Sequence, residues 1–129
     1  IPSGSQAADI LRIEHGRMFK TLVTVAKSGA HYVYMIPVDC ELDLKKAAVC
    51  AHEKSVEMLK SKDLLPLTGY IHGGCSPIGM KKPFPTFLHK TAQNYDTIVF
   101  SGGRVGHMVE VSPEGLLKIV KYTVADITV

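Results

Sequence analysis

The sequence has few cysteines, and their spacing is unlike that of either a disulfide-rich or a zinc-binding protein. Its three cysteines are Cys40, Cys50 and Cys75, and none of them forms a C-x-x-C pair. An odd number of cysteines without paired spacing argues against both a disulfide framework and a zinc knuckle. A reducing cytoplasm is therefore the simplest compartment for this chain.

Metal-ligand pairs and long apolar runs are also lacking. No two of the six histidines stand four residues apart, which is the spacing that places two ligands on one helical face. We therefore expect neither a dedicated metal site nor a cofactor. No apolar stretch approaches the ~18 residues that cross a bilayer, so a transmembrane helix is excluded and no membrane partner is expected.

The excess of positive over negative charge is small as well. The 15 Lys and Arg residues stand against 12 Asp and Glu residues, which gives a formal net charge of +3. A strongly basic nucleic-acid-binding protein would carry a larger surplus or a basic run, so the charge allows an RNA partner without requiring one. With 129 residues, 46% of them hydrophobic and 21% charged, the chain is predicted to form one globular domain with one core.

The residue pattern predicts short helices interleaved with short strands. We expect strands over 18–26 and 31–38 to form a hairpin, with further strands over 86–88, 97–101 and 107–111. Helices are expected over 5–11 with Ser5 as N-cap, over 44–51 with Asp43 as N-cap, over 55–60, near 90–94 and over 113–120. This order predicts a mixed α/β (α+β) fold with a curved, mostly antiparallel sheet.

Two glycine-rich loops interrupt this pattern. The segment 68–79 holds four glycines and a proline, and 101–106 holds three glycines and an arginine. Because glycine permits a left-handed backbone and close ligand approach, the N–H groups of either loop could face an anion or a developing oxyanion. The alternative is that both loops are tight strand connections, and the pattern favours neither interpretation.

Lys20 is a candidate because it lies inside a predicted strand, on the same side as Met18 and Leu22. A lysine at the mouth of an apolar surface can contact a carbonyl or a phosphate. A lysine at a sheet edge can also simply discourage aggregation, and the local pattern favours that interpretation. Lysine pairs at 45–46 and 81–82, with Arg104, could form a basic rim for an RNA backbone or be solvated surface charge.

Cys75 is a second candidate, since His72 precedes it by three residues. His107 or Asp96 could support a cysteine nucleophile in that arrangement. A packed free cysteine is the more common state, and the spacing does not establish a catalytic pair.

Several short motifs follow one another in a fixed order. They are Phe-Lys-Thr at 19–21, Pro-Val-Asp at 37–39, Leu-Asp-Leu-Lys-Lys-Ala-Ala at 42–48, Thr-Gly-Tyr-x-x-Gly-Gly-x-Ser-Pro-x-Gly-x-Lys-Lys at 68–82 and Ser-Gly-Gly at 101–103. In this combination the chain resembles the YbaK/EbsC family of bacterial aminoacyl-tRNA deacylases, which is related to the editing domain inserted in prolyl-tRNA synthetases. The resemblance covers almost the whole chain from about residue 6 and reverses the preference for a plain edge lysine at position 20.

The resemblance implies a function and a fold. The implied activity is hydrolysis of the ester that joins a wrong amino acid, usually cysteine or alanine, to the 3′-terminal adenosine of tRNA(Pro), and Cys-tRNA(Pro) is the expected substrate. The alternatives are an Ala-tRNA(Pro) deacylase and a catalytically silent tRNA-binding module. Aminoacylated tRNA(Pro) is the implied partner, with prolyl-tRNA synthetase as a partner in a transient complex. The implied fold is a curved mixed sheet or partly open barrel flanked by short helices.

The resemblance also implies the residues of the site. Lys20 takes the place of the family's catalytic lysine, Gly73 is expected to contact the substrate through its backbone, and Ser101 is expected to hydrogen-bond near the adenosine or the carbonyl. Substrate binding is implied for the other loop residues and for three cations, which are Gly74, Ser76, Gly102, Lys46, Lys82 and Arg104.

Three further features bear on how this chain compares with the family. We expect one editing domain over 1–129. Because the family usually has one more strand and helix before position 6, and Ile1 is not Met, we expect an N-terminal segment to be missing. Val105 replaces an arginine that is usual in the cysteine-specific branch. His52 stands where a glycine usually ends the helix, a change we interpret as structural.

Overall fold

The computed structural model describes residues 3–129, which form short helices and strands in alternation. The helices are α1 (Gly4–Leu11), α2 (Leu44–Cys50), α3 (Ser61–Thr68) and α4 (Pro113–Leu117), with 3-10 helices at His15–Arg17 and Lys90–Asn94. The strands are β1 (Phe19–Ala26), β2 (His31–Pro37), β3 (Val56–Met58), β4 (Thr86–His89), β5 (Ile98–Ser101), β6 (Met108–Val111) and β7 (Tyr122–Ala125).

The strands form one open sheet and one separate hairpin. The five-stranded sheet has the order β3-β1-β2-β4-β7, in which β1 pairs antiparallel with β3 and β2, whereas β4 pairs parallel with β2 and β7. The antiparallel pair β5–β6 makes the hairpin. Over residues 3–129, three of the five strand pairings are therefore antiparallel. This confirms the predicted mixed α/β fold, with an open sheet in place of a closed barrel.

The two faces of the sheet bury different elements because successive strand residues point to opposite sides. On one face Leu22 and Ala26 of β1 pack with Tyr34 of β2 against α2. On the other face Phe19 packs with β5 and α4, and Val23 packs with α3 and the loop after it. The first face is called the α2 face below, and the second is called the loop face.

One edge of β1 changes partner along its length. Residues 24–26 pair with β3, and the backbone N–H of Leu59 donates to the Val23 carbonyl at 3.0 Å. At the other end, Met18 forms a parallel bridge with Val99 of β5. Between these two pairings, no ladder is formed on this edge of β1 over 19–22 within residues 3–129, although β5 still packs alongside the strand. This stretch is called the β1 gap.

The expected cap of the first helix is wrong. Ser3, not Ser5, is the N-cap, and its Oγ accepts a hydrogen bond from the Gln6 N–H at 3.1 Å. The Gln6 side chain accepts in return from the Ser3 N–H at 2.9 Å, which completes a capping box. The preference of serine for the N-cap is confirmed, but the position depends on which serine has Gln three residues later.

The predictions for two other segments are also wrong. The helix expected over 55–60 is replaced by β3, because pairing with the edge of β1 overrides the local helical preference of these residues. The closing helix ends at Leu117, short of Val120, and β7 follows it where no strand was predicted. Within residues 3–129, no helix combines the length and the apolar character needed to cross a membrane.

His52 gives a first testable prediction. It follows the C-cap of α2 and is exposed, with φ at 57°, in the left-handed region that favours glycine. Because a side chain in this region is strained, His52→Gly is expected to increase the free energy of unfolding by about 1 kcal/mol. Urea unfolding measures the change, and His31→Gly in β2 serves as a control that should destabilise the protein. A destabilised His52→Gly variant would contradict the strain argument.

Candidate active site

The first glycine loop (69–79) begins where α3 ends. Gly69 ends the helix with φ at 87°, and Gly73 and Gly79 also have positive φ, at 86° and 74°. These values lie in the region open to glycine, so the loop makes turns that other residues would resist. Gly73 is exposed, and its backbone is available to a ligand.

The interior of this loop is buried and packed. Ser76 is 0% exposed, and its Oγ accepts a hydrogen bond from the Ile78 N–H at 3.2 Å. Cys75 packs with Val23, Val33 and α3, and burial raises the pKa of its thiol to about 11. At neutral pH the thiol is therefore protonated and enclosed, which disfavours Cys75 as a nucleophile. Ser76, predicted to bind substrate, shapes the turn in this structure.

The second glycine loop (101–106) follows β5. The Ser101 Oγ accepts a hydrogen bond from the Gly103 N–H at 3.2 Å, and the Gly102 N–H donates to the His107 carbonyl at 2.7 Å. Gly103 has φ at 115°. Ser101 is half-buried at the end of a strand whose preceding residues are buried, so the strand fixes its position.

The two glycine loops pack directly against each other. A Cβ atom placed on Gly74 would lie 3.3 Å from the Val105 backbone nitrogen and 3.4 Å from the Arg104 carbonyl carbon. A Cβ placed on Gly103 would lie 2.9 Å from Cε1 of Tyr70. The absence of side chains at these glycines therefore allows the close approach. The sequence pattern favours neither two separate connections nor a site, and the structure shows that the loops form one continuous surface.

Lys20 lies on the face of β1 opposite to the one that packs against the first glycine loop. It lies opposite Ile36 in the β1–β2 ladder, on the α2 face between Met18 and Leu22. Burial and the neighbouring Asp39 carboxylate raise the pKa of the Cys40 thiol, and the Lys20 charge opposes that rise. Lys20 makes no ion pair within residues 3–129. Its ammonium is therefore not committed to a structural contact.

The elements that carry the two glycine loops pack against β1 next to the β1 gap, the first loop at Val23 and the second through β5. The Val23 carbonyl points toward β3, and the backbone of Thr21, two residues earlier, points to the same edge because the orientation alternates. A small group at this edge would have Lys20 on one side and the loop face on the other.

Thr21 is a residue that sequence analysis missed. It lies on the loop face between Phe19 and Val23, and its Oγ1 is buried without a hydrogen-bond partner within residues 3–129. Native proteins rarely leave a buried hydroxyl unpaired, so such a group often marks a functional position. The sequence feature that could have identified Thr21 is its position next to Lys20 in the Phe-Lys-Thr motif. A local pattern does not show which hydroxyls remain without a hydrogen-bond partner.

The three predicted cations separate into two groups. Arg104 lies in the second glycine loop and Lys82 is exposed just beyond the first, so both flank the paired loops. Lys46 lies on α2, and its Nζ donates to the Thr128 carbonyl at 2.9 Å and contacts Asp126 at 3.3 Å. The structure therefore places Lys46 apart from the loops, where it holds the C-terminal segment.

A polar cluster supports the hairpin that carries Ser101. Arg17 Nη1 donates to Glu110 at 2.8 Å and to Thr97 at 3.0 Å, and Thr97 donates to Glu110 at 2.6 Å. The hydrogen bonds from Thr97 and Arg17 lower the pKa of the Glu110 carboxyl. Because Arg17 precedes β1, the cluster ties the β5–β6 hairpin to the strand that carries Lys20. No group of three metal-binding side chains occurs within residues 3–129.

A comparison with known families decides the classification. The family model described as the aminoacyl-tRNA editing domain matches residues 1–119. The chain belongs to the aminoacyl-tRNA editing domain family. This confirms the resemblance seen in the sequence motifs.

Individual relatives of this editing domain agree with that assignment. EbsC of Enterococcus faecalis, a proposed Cys-tRNA(Pro)/Cys-tRNA(Cys) deacylase, is 51% identical over 126 residues, which cover 98% of this chain and 77% of EbsC. The crystal structure of a proposed trans-editing enzyme for prolyl tRNA synthetase has a TM-score of 0.87 and 27% identity, covering 98% of this chain and 79% of that one. A structure from work on epitope grafting onto scaffold proteins has a TM-score of 0.90 and 26% identity, and the match covers 100% of this chain and 82% of that one.

Proposed function

We propose that this editing domain hydrolyses the aminoacyl ester of mischarged tRNA(Pro), with Cys-tRNA(Pro) as its preferred substrate. The observation that supports the proposal is the packing of the two glycine loops against each other beside β1, the strand that carries Lys20. The 51% identity to a proposed Cys-tRNA deacylase supports the choice of substrate.

The proposed mechanism depends on positioning and charge stabilisation. An aminoacyl ester is already a good electrophile, so the enzyme needs an oriented carbonyl and donors for the developing oxyanion more than a nucleophile of its own. We assign the carbonyl oxygen to the β1 gap, where the Lys20 ammonium and the Gly73 backbone stabilise charge and Ser101 hydrogen-bonds near the adenosine. Lys82 and Arg104 contact the RNA backbone.

For a cysteinyl substrate, the attacking group is the substrate's own thiol. Its sulfur bonds to the carbonyl carbon, the ester C–O bond breaks, and the proton passes to the departing ribose oxygen. Water then opens the resulting cyclic thioester and releases free cysteine. For an alanyl substrate, water must attack the ester directly. Pocket size alone separates such similar side chains by about 1–3 kcal/mol, so the thiol supplies the additional selectivity.

The setting follows from the proposed reaction. Aminoacylated tRNA(Pro) is the substrate, the cytoplasm is the compartment where it is made, and prolyl-tRNA synthetase is a partner in a transient complex that can supply it. The alternative is a tRNA-binding module that keeps the fold without turnover.

One assay separates these possibilities. Cys-, Ser-, Ala- and Pro-tRNA(Pro) are incubated with the protein, and release of the amino acid is followed against a reaction without protein. We expect cysteine to be released fastest and proline to remain attached, with serine released more slowly than cysteine because its hydroxyl is the poorer nucleophile. Fastest release of alanine would instead favour the Ala-tRNA(Pro) assignment. Tight binding without release at excess protein would identify a silent module.

A further inference from the structure

Tyr70 lies at the contact between the two glycine loops. Its hydroxyl donates a hydrogen bond to the Ile78 carbonyl, which closes the first loop on itself. Its ring fills the space beside Gly103, where an added Cβ would lie 2.9 Å from the ring carbon Cε1. A Cβ on Gly79 would lie 3.0 Å from the Tyr70 hydroxyl oxygen. One side chain therefore contacts both loops.

The position of Tyr70 is itself fixed by α3. The Tyr70 N–H donates to the Thr68 Oγ1 at 3.1 Å, and that hydroxyl donates to the Leu64 carbonyl at 2.8 Å. The Tyr70 ring also packs against the buried cluster of Val23 and Leu64 on the loop face. The ring is therefore held by the helix, by the sheet and by the first loop before it meets Gly103.

We propose that Tyr70 is a positioning residue that holds the two glycine loops in a fixed relative placement. Without it, the backbone of Gly73 and the hydroxyl of Ser101 would no longer face the same substrate. The inference rests on the proposed deacylase function, but the contact between the loops can be tested separately. Tyr70 acts through the loops and is assigned no contact with the substrate.

Two substitutions at Tyr70 separate its ring from its hydroxyl. Tyr70→Leu removes the contact with Gly103 and is expected to lower kcat about 100-fold, since small misplacements of reacting groups cost that much. Tyr70→Phe keeps the ring and loses one hydrogen bond, so kcat should fall about 3- to 10-fold. KM should change little in both variants, because the loop residues that bind the substrate remain present.

The matched control is Tyr122→Phe. The Tyr122 hydroxyl donates to the Pro113 carbonyl at 2.7 Å beside α4, so this variant loses the same type of hydrogen bond away from the glycine loops. Its kcat should equal that of the unmodified protein. A double-mutant cycle of Tyr70→Leu with Gly103→Ala should be less than additive, because both changes disturb one contact.

Hydrogen exchange measures the coupling without relying on activity. Tyr70→Leu should speed exchange of the amides in 101–106, about 30 residues away in sequence, while exchange in β2 stays unchanged. Unchanged exchange there, or kcat values equal to that of Tyr122→Phe, would overturn the inference. If Tyr70→Leu does not fold, the inference is tested by measuring kcat and hydrogen exchange over 101–106 in Tyr70→Phe. If the unmodified protein releases no amino acid from any charged tRNA(Pro), the proposed function fails, and the exchange data still decide the coupling.

Discussion

Replacing Lys20 with alanine is expected to lower the rate of Cys-tRNA(Pro) deacylation by about 10²- to 10³-fold. Removing one group that stabilises a developing oxyanion typically has an effect of this size. The Lys20 ammonium makes no ion pair within residues 3–129, so its loss should change the free energy of unfolding little. Deacylation under single-turnover conditions gives the rate, and circular dichroism with urea unfolding gives the stability.

The control for this prediction is Lys27→Ala. Lys27 is exposed in the turn that joins β1 to β2. The substitution therefore removes the same charge from the same hairpin, but away from the β1 gap. This variant should keep full activity, and Lys20→Arg should recover part of the lost rate because it restores a cation. Full activity in Lys20→Ala would refute the assigned role, and an equal loss in Lys27→Ala would indicate a general effect of charge.

Gly103→Ala is expected to produce the second large effect, a loss of about 100-fold in deacylation together with reduced stability. The new Cβ would lie 2.9 Å from Cε1 of Tyr70, and the ring cannot swing aside without losing the hydrogen bond to Ile78. The loops must therefore separate, which misplaces Ser101. The φ of 115° adds a strain of about 1–3 kcal/mol.

Gly29→Ala isolates the backbone strain from the separation of the loops. Gly29 has φ at 91° in the β1–β2 turn, and an added Cβ there would meet nothing within 4 Å. We expect this variant to lose stability while its deacylation rate stays normal. Urea unfolding and the deacylation assay are compared for both glycine variants. If both have the same activity, contact between the loops does not matter for the reaction.

Features with strong local signals could be predicted from the sequence. The alternating β-branched residues of β1 and β2 predicted their hairpin, and Asp43 caps α2 as expected, with its carboxylate accepting from the N–H groups of Lys45 and Lys46 at 3.0 Å each. The glycine clusters predicted both loops. In each case neighbouring residues provide the whole signal, so no distant contact is needed to interpret it.

Features decided by distant contacts could not be predicted. The residues of β3 suit a helix, and their pairing with β1 decides otherwise. The sequence places Lys46 beside other basic residues, yet Asp126 and Thr128, some 80 residues away, engage its ammonium. The unpaired hydroxyl of Thr21 depends on which elements cover the loop face of β1. The candidate site was thus predictable as a set of residue types, but not as an arrangement on two faces of one strand.

The β1 gap also bears on whether this edge of the sheet can pair with another chain. Exposed strand edges can pair with another chain and begin aggregation. Here the open stretch spans 19–22, and the bridge from β5 and the ladder with β3 close it at both ends. Four residues are shorter than a usual strand, and the flanking strands obstruct the approach of a longer one. The unpaired stretch is therefore a poor template for the backbone of a neighbouring molecule, whereas the proposed reaction needs it to admit only the end of a small ester.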